Sequence, residues 1–150
     1  MTKFKKIRNS KYGSLFKLNN TKNFTIQNIN TLFGVEKNYN KNIIKWTISY
    51  FDKNIIEEIE EEILNIYNLE NKSNFELKSK LDLRKNYKPL LISSLDRKIY
   101  DILQHDEGEI VNNDSVFKNK NYQVDFMVNY FSISKNFLHV KIEIKKIRNA

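Results

Sequence analysis

The fold is decided by residues 122–145, which read YQVDFMVNYFSISKNFLHVKIEIK. Apolar residues occupy every second position in each half of this stretch: Tyr122, Val124, Phe126, Val128 and Tyr130, then Leu138, Val140, Ile142 and Ile144. Because successive side chains of a strand point to opposite faces, a period of two predicts a strand with one buried face. Residues 132–136 separate the two halves and predict a hairpin loop. The stretch therefore predicts two long strands joined as a hairpin.

One amphipathic helix is predicted over residues 53–68. Isoleucines, Leu64 and Tyr67 recur there at three- and four-residue spacing, which places them on one side of a helix. The remaining positions include the glutamates 57, 58, 60, 61 and 62, which predict a solvated acidic face. Asp52 is the predicted N-cap, since a carboxylate accepts hydrogen bonds from the free amides of the first turn.

Shorter apolar or alternating segments predict further strands at 15–18, 24–26, 32–35, 44–50, 75–83, 90–92 and 99–103, with a turn at 104–108. About eight short strands with one long helix indicate an α+β class. The expected architecture is a strand-rich, partly closed barrel or a sandwich, crossed by the helix.

The chain has the length of one domain, 150 residues. Residues 1–12 are basic with few apolar anchors, so we expect a loosely ordered N-terminal arm followed by a single α+β domain over 13–150. Absence of cysteine excludes disulfides, and the sequence shows neither a membrane-spanning apolar run nor the apolar core of a signal peptide. We therefore expect no membrane association and an intracellular location, in the cytoplasm or the nucleus.

The formal net charge is +8, and it is unevenly distributed. Residues 1–50 carry ten Lys and Arg against Glu36 alone, whereas 51–70 carry seven acids against Lys53. Clustered cations gain free energy on phosphates by releasing condensed counterions, so the basic regions indicate a nucleic-acid partner.

Motifs for catalysis or cofactor binding are not found in the sequence. The two histidines lack cysteines or a further histidine at zinc-ligand spacing, and Gly13, Gly34 and Gly108 are isolated and cannot form a phosphate loop. No serine or threonine lies in a nucleophile elbow. We expect no catalytic residues, no metal and no cofactor, and hence a protein that is not an enzyme.

One enzymatic alternative stays open. Asp125, Glu143 and Lys145 fall on consecutive predicted strands and resemble the Asp…Glu-x-Lys core of metal-dependent nucleases. Carboxylates there would hold Mg²⁺ and the lysine would orient the attacking water. Alternating charges on a solvated strand also produce Glu-x-Lys, which makes the magnesium nuclease the less favoured reading.

Basic residues beside aromatic ones provide the strongest functional signal. Single strands are held without sequence preference by cations along the backbone and aromatic rings against the bases. The predicted nucleic-acid-binding residues are Lys41, Lys45, Lys78, Lys80, Arg84, Lys85 and Lys88, with Tyr39, Tyr50 and Tyr87 as stacking platforms. The alternative is a structural or interaction protein, such as a virion component, that contacts other proteins or itself through the acidic helix and sheet edges.

Read from end to end, the order of features resembles the single-stranded-DNA-binding proteins of large DNA viruses, which are built on the oligonucleotide-binding (OB) barrel. The likeness is carried by 24–27 (FTIQ), 32–35 (LFGV), a strand ending at Tyr50 before an acidic helix, 87–90 (YKPL) and the closing hairpin. The resemblance implies an OB-like fold and non-enzymatic binding of single-stranded DNA in replication, recombination or repair.

Overall fold

A computed structural model describes residues 3–38, 41–95 and 120–150. These residues form one helix, α1 (Tyr50–Asn71), and a mixed sheet of nine strands. The strands are β1 (Phe4–Ser10), β2 (Gly13–Ile29), β3 (Val35–Asn38), β4 (Lys41–Thr47), β5 (Glu76–Leu77), β6 (Leu81–Asp82), β7 (Leu90–Leu95), β8 (Tyr122–Ser134) and β9 (Phe137–Asn149). The predicted α+β, strand-rich class is confirmed. The predicted strand 99–103 and turn 104–108 lie outside the described residues.

The sheet runs in the order β1-β2-β8-β9-β7-β4-β3 and is not closed into a barrel. β5 is added beside β9, and β6 beside β7. Most neighbours are antiparallel, but β7 and β5 each run parallel to β9. One isolated bridge, Asn30 with Thr47, connects the residue after β2 to the end of β4.

The hairpin predicted from the closing stretch is present as β8 and β9. Its loop is shorter than expected, because Ser134 already pairs with Phe137. Lys135 adopts a left-handed conformation with φ of 56°, which allows two residues to reverse the chain. The predicted loop 132–136 is thus mostly strand, and the buried positions extend to Phe131 and Ile133.

β2 is one long strand where separate short strands are predicted. Segments 15–18 and 24–26 belong to this one strand, whose register against β8 shifts between Lys17 and Lys22.

The segment expected to be a loose arm contains β1, which pairs antiparallel with β2. Phe4 explains why it is fixed: its ring lies 5.5 Å from Phe16 and 5.4 Å from Phe131, so the strand is anchored by aromatic packing.

Helix α1 begins earlier and ends later than the predicted 53–68. Ser49 is the N-cap, since its hydroxyl accepts a hydrogen bond from the Asp52 amide at 3.1 Å. Asp52 lies inside the first turn, where its carboxylate accepts from the Ser49 hydroxyl at 2.9 Å. Lys72 ends the helix in a left-handed conformation. Of the described residues, no helix is long and apolar enough to cross a membrane.

The core lies between α1 and one face of the sheet. Ile56, Ile63 and Tyr67 are the buried apolar residues of the helix, and the Tyr67 ring lies 5.4 Å from Phe16. On the sheet, Trp46 is fully buried and donates its indole N–H to the Ser93 hydroxyl at 2.9 Å. Satisfying that donor allows a large aromatic side chain to fill the centre of the core without an unpaired polar group.

Candidate nucleic-acid interface

The face of the sheet that points away from the core is called here the outer face. Alternation places Ile43 of β4 and Ser94 of β7 on it, since the neighbours Ile44 and Ser93 are buried. Leu15 pairs with Ser132, and Ser132 pairs with His139, so these three form a row across β2, β8 and β9. The outer face is thus formed by residues of five strands: β2, β4, β7, β8 and β9.

A cavity of about 450 Å³ opens on the outer face. Its described lining contains the cations Arg8, Lys41, Lys80 and Lys141, with His139, Tyr12 and the serines 10, 14, 94, 132 and 134. Apolar lining comes from residues such as Ile43 and Ile92. Among the described lining residues none carries a carboxylate. We refer to this site as the cationic cavity; its chemistry, cations with hydroxyl donors, suits an anionic ligand such as a phosphate group.

Burial changes the titration of two groups in the cationic cavity. Desolvation lowers the pKa of Lys80, and the nearby charge of Lys41 lowers it further, whereas Glu60 acts in the opposite direction. Desolvation also lowers the pKa of His139, with Lys80 and Lys78 contributing. Lys41 and Lys80 therefore repel each other in a partly dry site, and a bound anion would relieve that repulsion.

The structure brings together only some of the residues predicted from sequence. Lys41 and Lys80 both line the cationic cavity. Lys45 lies next along the outer face of β4, 3.8 Å from the carboxylate of Glu36. Lys78 is exposed, with its ammonium 5.9 Å from the centre of the Phe137 ring.

A second group of predicted residues meets at the start of α1. The Tyr50 hydroxyl lies 3.5 Å from the Tyr87 carbonyl, and the Arg84 guanidinium lies 5.2 Å from the centre of the Tyr87 ring. Tyr50 and Tyr87 are 62% and 66% exposed, so a ligand can reach both rings, and the Arg84 guanidinium covers one face of the Tyr87 ring. We call these three residues the aromatic patch; the exposed Lys85 and Lys88 flank it. Tyr39 lies outside the described residues.

Several cavity residues were missed by sequence reasoning. Arg8 lies in the segment predicted to be a loose arm, and serines and a single tyrosine are too common for the sequence to indicate a site. Lys141 and His139 did carry a usable signal, because they stand on the polar side of an alternating strand. Their convergence with Lys41 and Lys80 depends on strand order.

Both carboxylates of the nuclease alternative are engaged in other contacts or buried. Asp125 forms an ion pair with Arg148 at 2.8 Å and accepts a hydrogen bond from Thr25 at 2.7 Å. Glu143 is 7% exposed, opposite Met127 in the β8–β9 register. Within residues 3–38, 41–95 and 120–150, no group of three or more His, Cys, Asp or Glu is placed to hold a metal ion.

Glu58, Glu61 and Glu62 of α1 are exposed, as expected for the predicted solvated acidic face. Glu57 pairs with Lys53 at 3.0 Å, and Glu62 pairs with Lys22 at 3.0 Å. Glu60 is completely buried, which corrects its assignment to the exposed acidic side. A helix position one turn from Ile56 and Ile63 faces the core regardless of its residue type, so the sequence pattern alone understated the contacts of this carboxylate.

In comparisons with known proteins, no family model matches this chain, and neither a curated protein nor a solved structure matches it.

Proposed function

We propose that this protein binds single-stranded DNA, with little sequence preference and without enzymatic activity, in support of replication, recombination or repair. The observation that carries the proposal is the cationic cavity. Four cations converge there on one concave space whose described lining has no carboxylate. A concave, partly dry site strengthens the attraction of its charges for phosphates.

The aromatic patch supplies the second requirement of single-strand binding. Tyr50 and Tyr87 expose ring faces beside a guanidinium, and unpaired bases stack on such faces whatever their sequence. β4 leads from Lys41 in the cavity towards the helix that begins at Tyr50. Its six residue steps correspond to about 20 Å, a span that an extended oligonucleotide can cover.

The proposal includes a relationship to the OB barrel, and with it the resemblance to the viral single-strand binders. β2, β8, β9, β7 and β4 are neighbours in that order, and the Thr47 amide donates to the Asn30 carbonyl at 2.8 Å. That hydrogen bond links the last residue of β4 to the residue that follows β2, so it connects the first and last strands of this order. A five-stranded, partly open barrel is the architecture that binds oligonucleotides in that family.

Fluorescence anisotropy of a labelled oligothymidine at two salt concentrations tests the proposal. If the four cavity cations each neutralise one phosphate, a fourfold increase in salt lowers the affinity about 50-fold. No binding at low salt, or binding that salt does not weaken, would overturn it. The same samples with Mg²⁺ added are run on a denaturing gel, where cleavage of the oligonucleotide would favour the nuclease instead.

A further inference from the structure

The strands β7 and β9 separate like a fork, and a short segment fills the space between them. They pair at Ser94 and Glu143, whereas their first residues lie apart. β5 pairs with the start of β9, and β6 pairs with the start of β7. The residues between them are hydrogen-bonded to both strands: the Lys78 amide donates to Leu138 at 2.9 Å, and the Lys80 carbonyl accepts from Ile92 at 2.8 Å.

This segment explains why the predicted strand 75–83 is not continuous. The apolar alternation breaks at Ser79, where the chain crosses from β9 to β7. Lys80 follows directly and is one of the residues that line the cationic cavity. The crossing therefore places Lys80, a cation, at the outer face between β9 and β7.

Glu60 reaches this crossing from the helix. One carboxylate oxygen accepts from the Ser79 hydroxyl at 2.5 Å, and the other accepts from the Lys80 amide at 2.8 Å. The Ser79 hydroxyl also accepts from the Leu81 amide at 3.0 Å, so the turn is connected on both sides. Burying a carboxylate is unfavourable, and burial raises the pKa of Glu60 while these two hydrogen bonds oppose the rise.

We infer that Glu60 is the positioning residue of the cationic cavity: from inside the core it fixes the Ser79–Lys80 turn so that the Lys80 ammonium faces a phosphate bound on the outer face. This inference rests on the proposed function. Glu60 touches no ligand itself and acts through the backbone of Lys80. The fork makes this possible, because the turn lies between two strands of the sheet. Glu60 contacts it from the core side, and a ligand can reach it from the outer face.

The charges around Lys80 support this role. Lys41 of β4 and His139 of β9 face it from the cavity, and Glu60 of α1 faces it from the core. Burial and Lys41 both lower the pKa of Lys80, and the carboxylate of Glu60 offsets part of that decrease. The same residue thus holds the backbone of Lys80 and favours its protonated form.

Oligothymidine binding by four variants, Lys80→Ala, Glu60→Ala, the double variant and Glu60→Gln, tests the inference. Loss of one charge-assisted contact lowers affinity about tenfold, and we expect this loss for Lys80→Ala and for Glu60→Ala. The double variant should lose no more than either single variant, because both remove the same contact. Glu60→Gln keeps an acceptor for the Lys80 amide and should restore affinity at pH 7 to within about threefold.

An alkaline titration separates the charge of Glu60 from its hydrogen bonds. In Glu60→Gln, Lys80 has lost its neighbouring anion, so affinity should decline at a lower pH than in the unmodified protein. Adding Lys80→Arg should abolish that difference, because arginine stays protonated. Glu61→Gln, an exposed neighbour with the same charge change, is the matched control.

The outcomes distinguish this inference from the proposed function. If Lys80→Ala weakens binding while Glu60→Ala binds normally or more tightly, the positioning role is wrong and DNA binding stands. If the unmodified protein does not bind, the proposed function itself fails. Thermal unfolding accompanies each variant. If Glu60→Ala does not fold, Ser79→Ala replaces it and should lower oligothymidine affinity about threefold. In a protein that already carries Lys80→Ala, Ser79→Ala should cause no further loss.

Discussion

The cationic cavity and the aromatic patch are both basic, but they hold their charges differently. In the cavity, cations from β1, β4, β9 and the β5–β6 turn converge, and burial lowers the pKa of Lys80. At the patch, Arg84 donates to the Lys88 carbonyl at 2.9 Å and covers the Tyr87 ring, while Lys85 and Lys88 face water. A charge in a concave site acts more strongly on an anion than a hydrated charge does. Under the proposed function we therefore expect phosphates to bind in the cavity and bases at the patch.

The largest expected effect comes from reversing charge in the cavity. Arg8→Glu combined with Lys41→Glu should lower affinity for oligothymidine roughly 100-fold or more, since two charge-assisted contacts of about 1.5 kcal/mol each are lost. Lys85→Glu with Lys88→Glu changes the net charge equally at the patch. That control should cost only about threefold, because neither lysine lines the cavity, whose concave shape strengthens the attraction of its cations for phosphates. Equal losses in an anisotropy titration would show that net charge alone drives binding and would remove the distinction between the two sites.

A smaller effect depends on the length of the oligonucleotide. Tyr87→Ala removes a stacking platform and should weaken binding of a long oligothymidine about tenfold. An oligomer of roughly three nucleotides, below the usual site size, should bind almost unchanged because it does not span from the cavity to the patch.

Tyr12→Ala is the matched control for that length series. Tyr12 lines the cavity and is 77% exposed, so its loss should weaken long and short oligomers by similar factors. Isothermal titration of the unmodified protein and both variants with each length gives the affinities to be compared. A Tyr87→Ala effect that is the same at both lengths would contradict separate roles for the two sites.

The smallest effect concerns pH. His139 has a pKa below its usual 6.5 because of burial and the charges of Lys80 and Lys78. A bound phosphate favours the charged imidazole, so affinity should increase about threefold as pH falls from roughly 7 to 5, and His139→Gln should remove this increase. Anisotropy over that range measures it, and an unchanged increase in the variant would place the titrating group elsewhere.

Stability should respond to the same group with the opposite sign. The unfolded chain binds the proton at a higher pH than the folded one, because the folded pKa of His139 is the lower of the two. The contribution of the neutral imidazole is therefore complete above pH 6.5 and is lost as pH falls through the folded pKa. Without DNA, acidification should lower the melting temperature less in His139→Gln than in the unmodified protein.

Much of the secondary structure is readable from local pattern. Alternation in 122–145 predicts β8 and β9, and the isoleucine spacing predicts α1, because each pattern follows from the geometry of one element. Errors occur where a distant contact changes the local preference. β1 is ordered by the packing of Phe4 against β2 and β8, and the alternation of 75–83 hides a crossing at Ser79.

The candidate site was only partly predictable for the same reason. Lys41, Lys80, Tyr50 and Tyr87 were singled out by residue type, but nothing in their spacing separates them into a cavity and a patch. The sequence predicts a solvated Glu60, because glutamate is usually exposed. Its burial depends on the Ser79–Lys80 turn, which donates two hydrogen bonds to its carboxylate.

By itself, the sequence determined the α+β class, the order of most elements and the apolar side of the long closing strands, because these depend on residues close together in the chain. Only the tertiary structure decided that Arg8, Lys41, Lys80 and Lys141 share one cavity and that Glu60 lies behind it. Strand order and register bring these residues together, and a slip of one residue would turn each side chain to the opposite face. The basic character of the chain is a property of its composition, whereas a binding site is a property of how the strands pair.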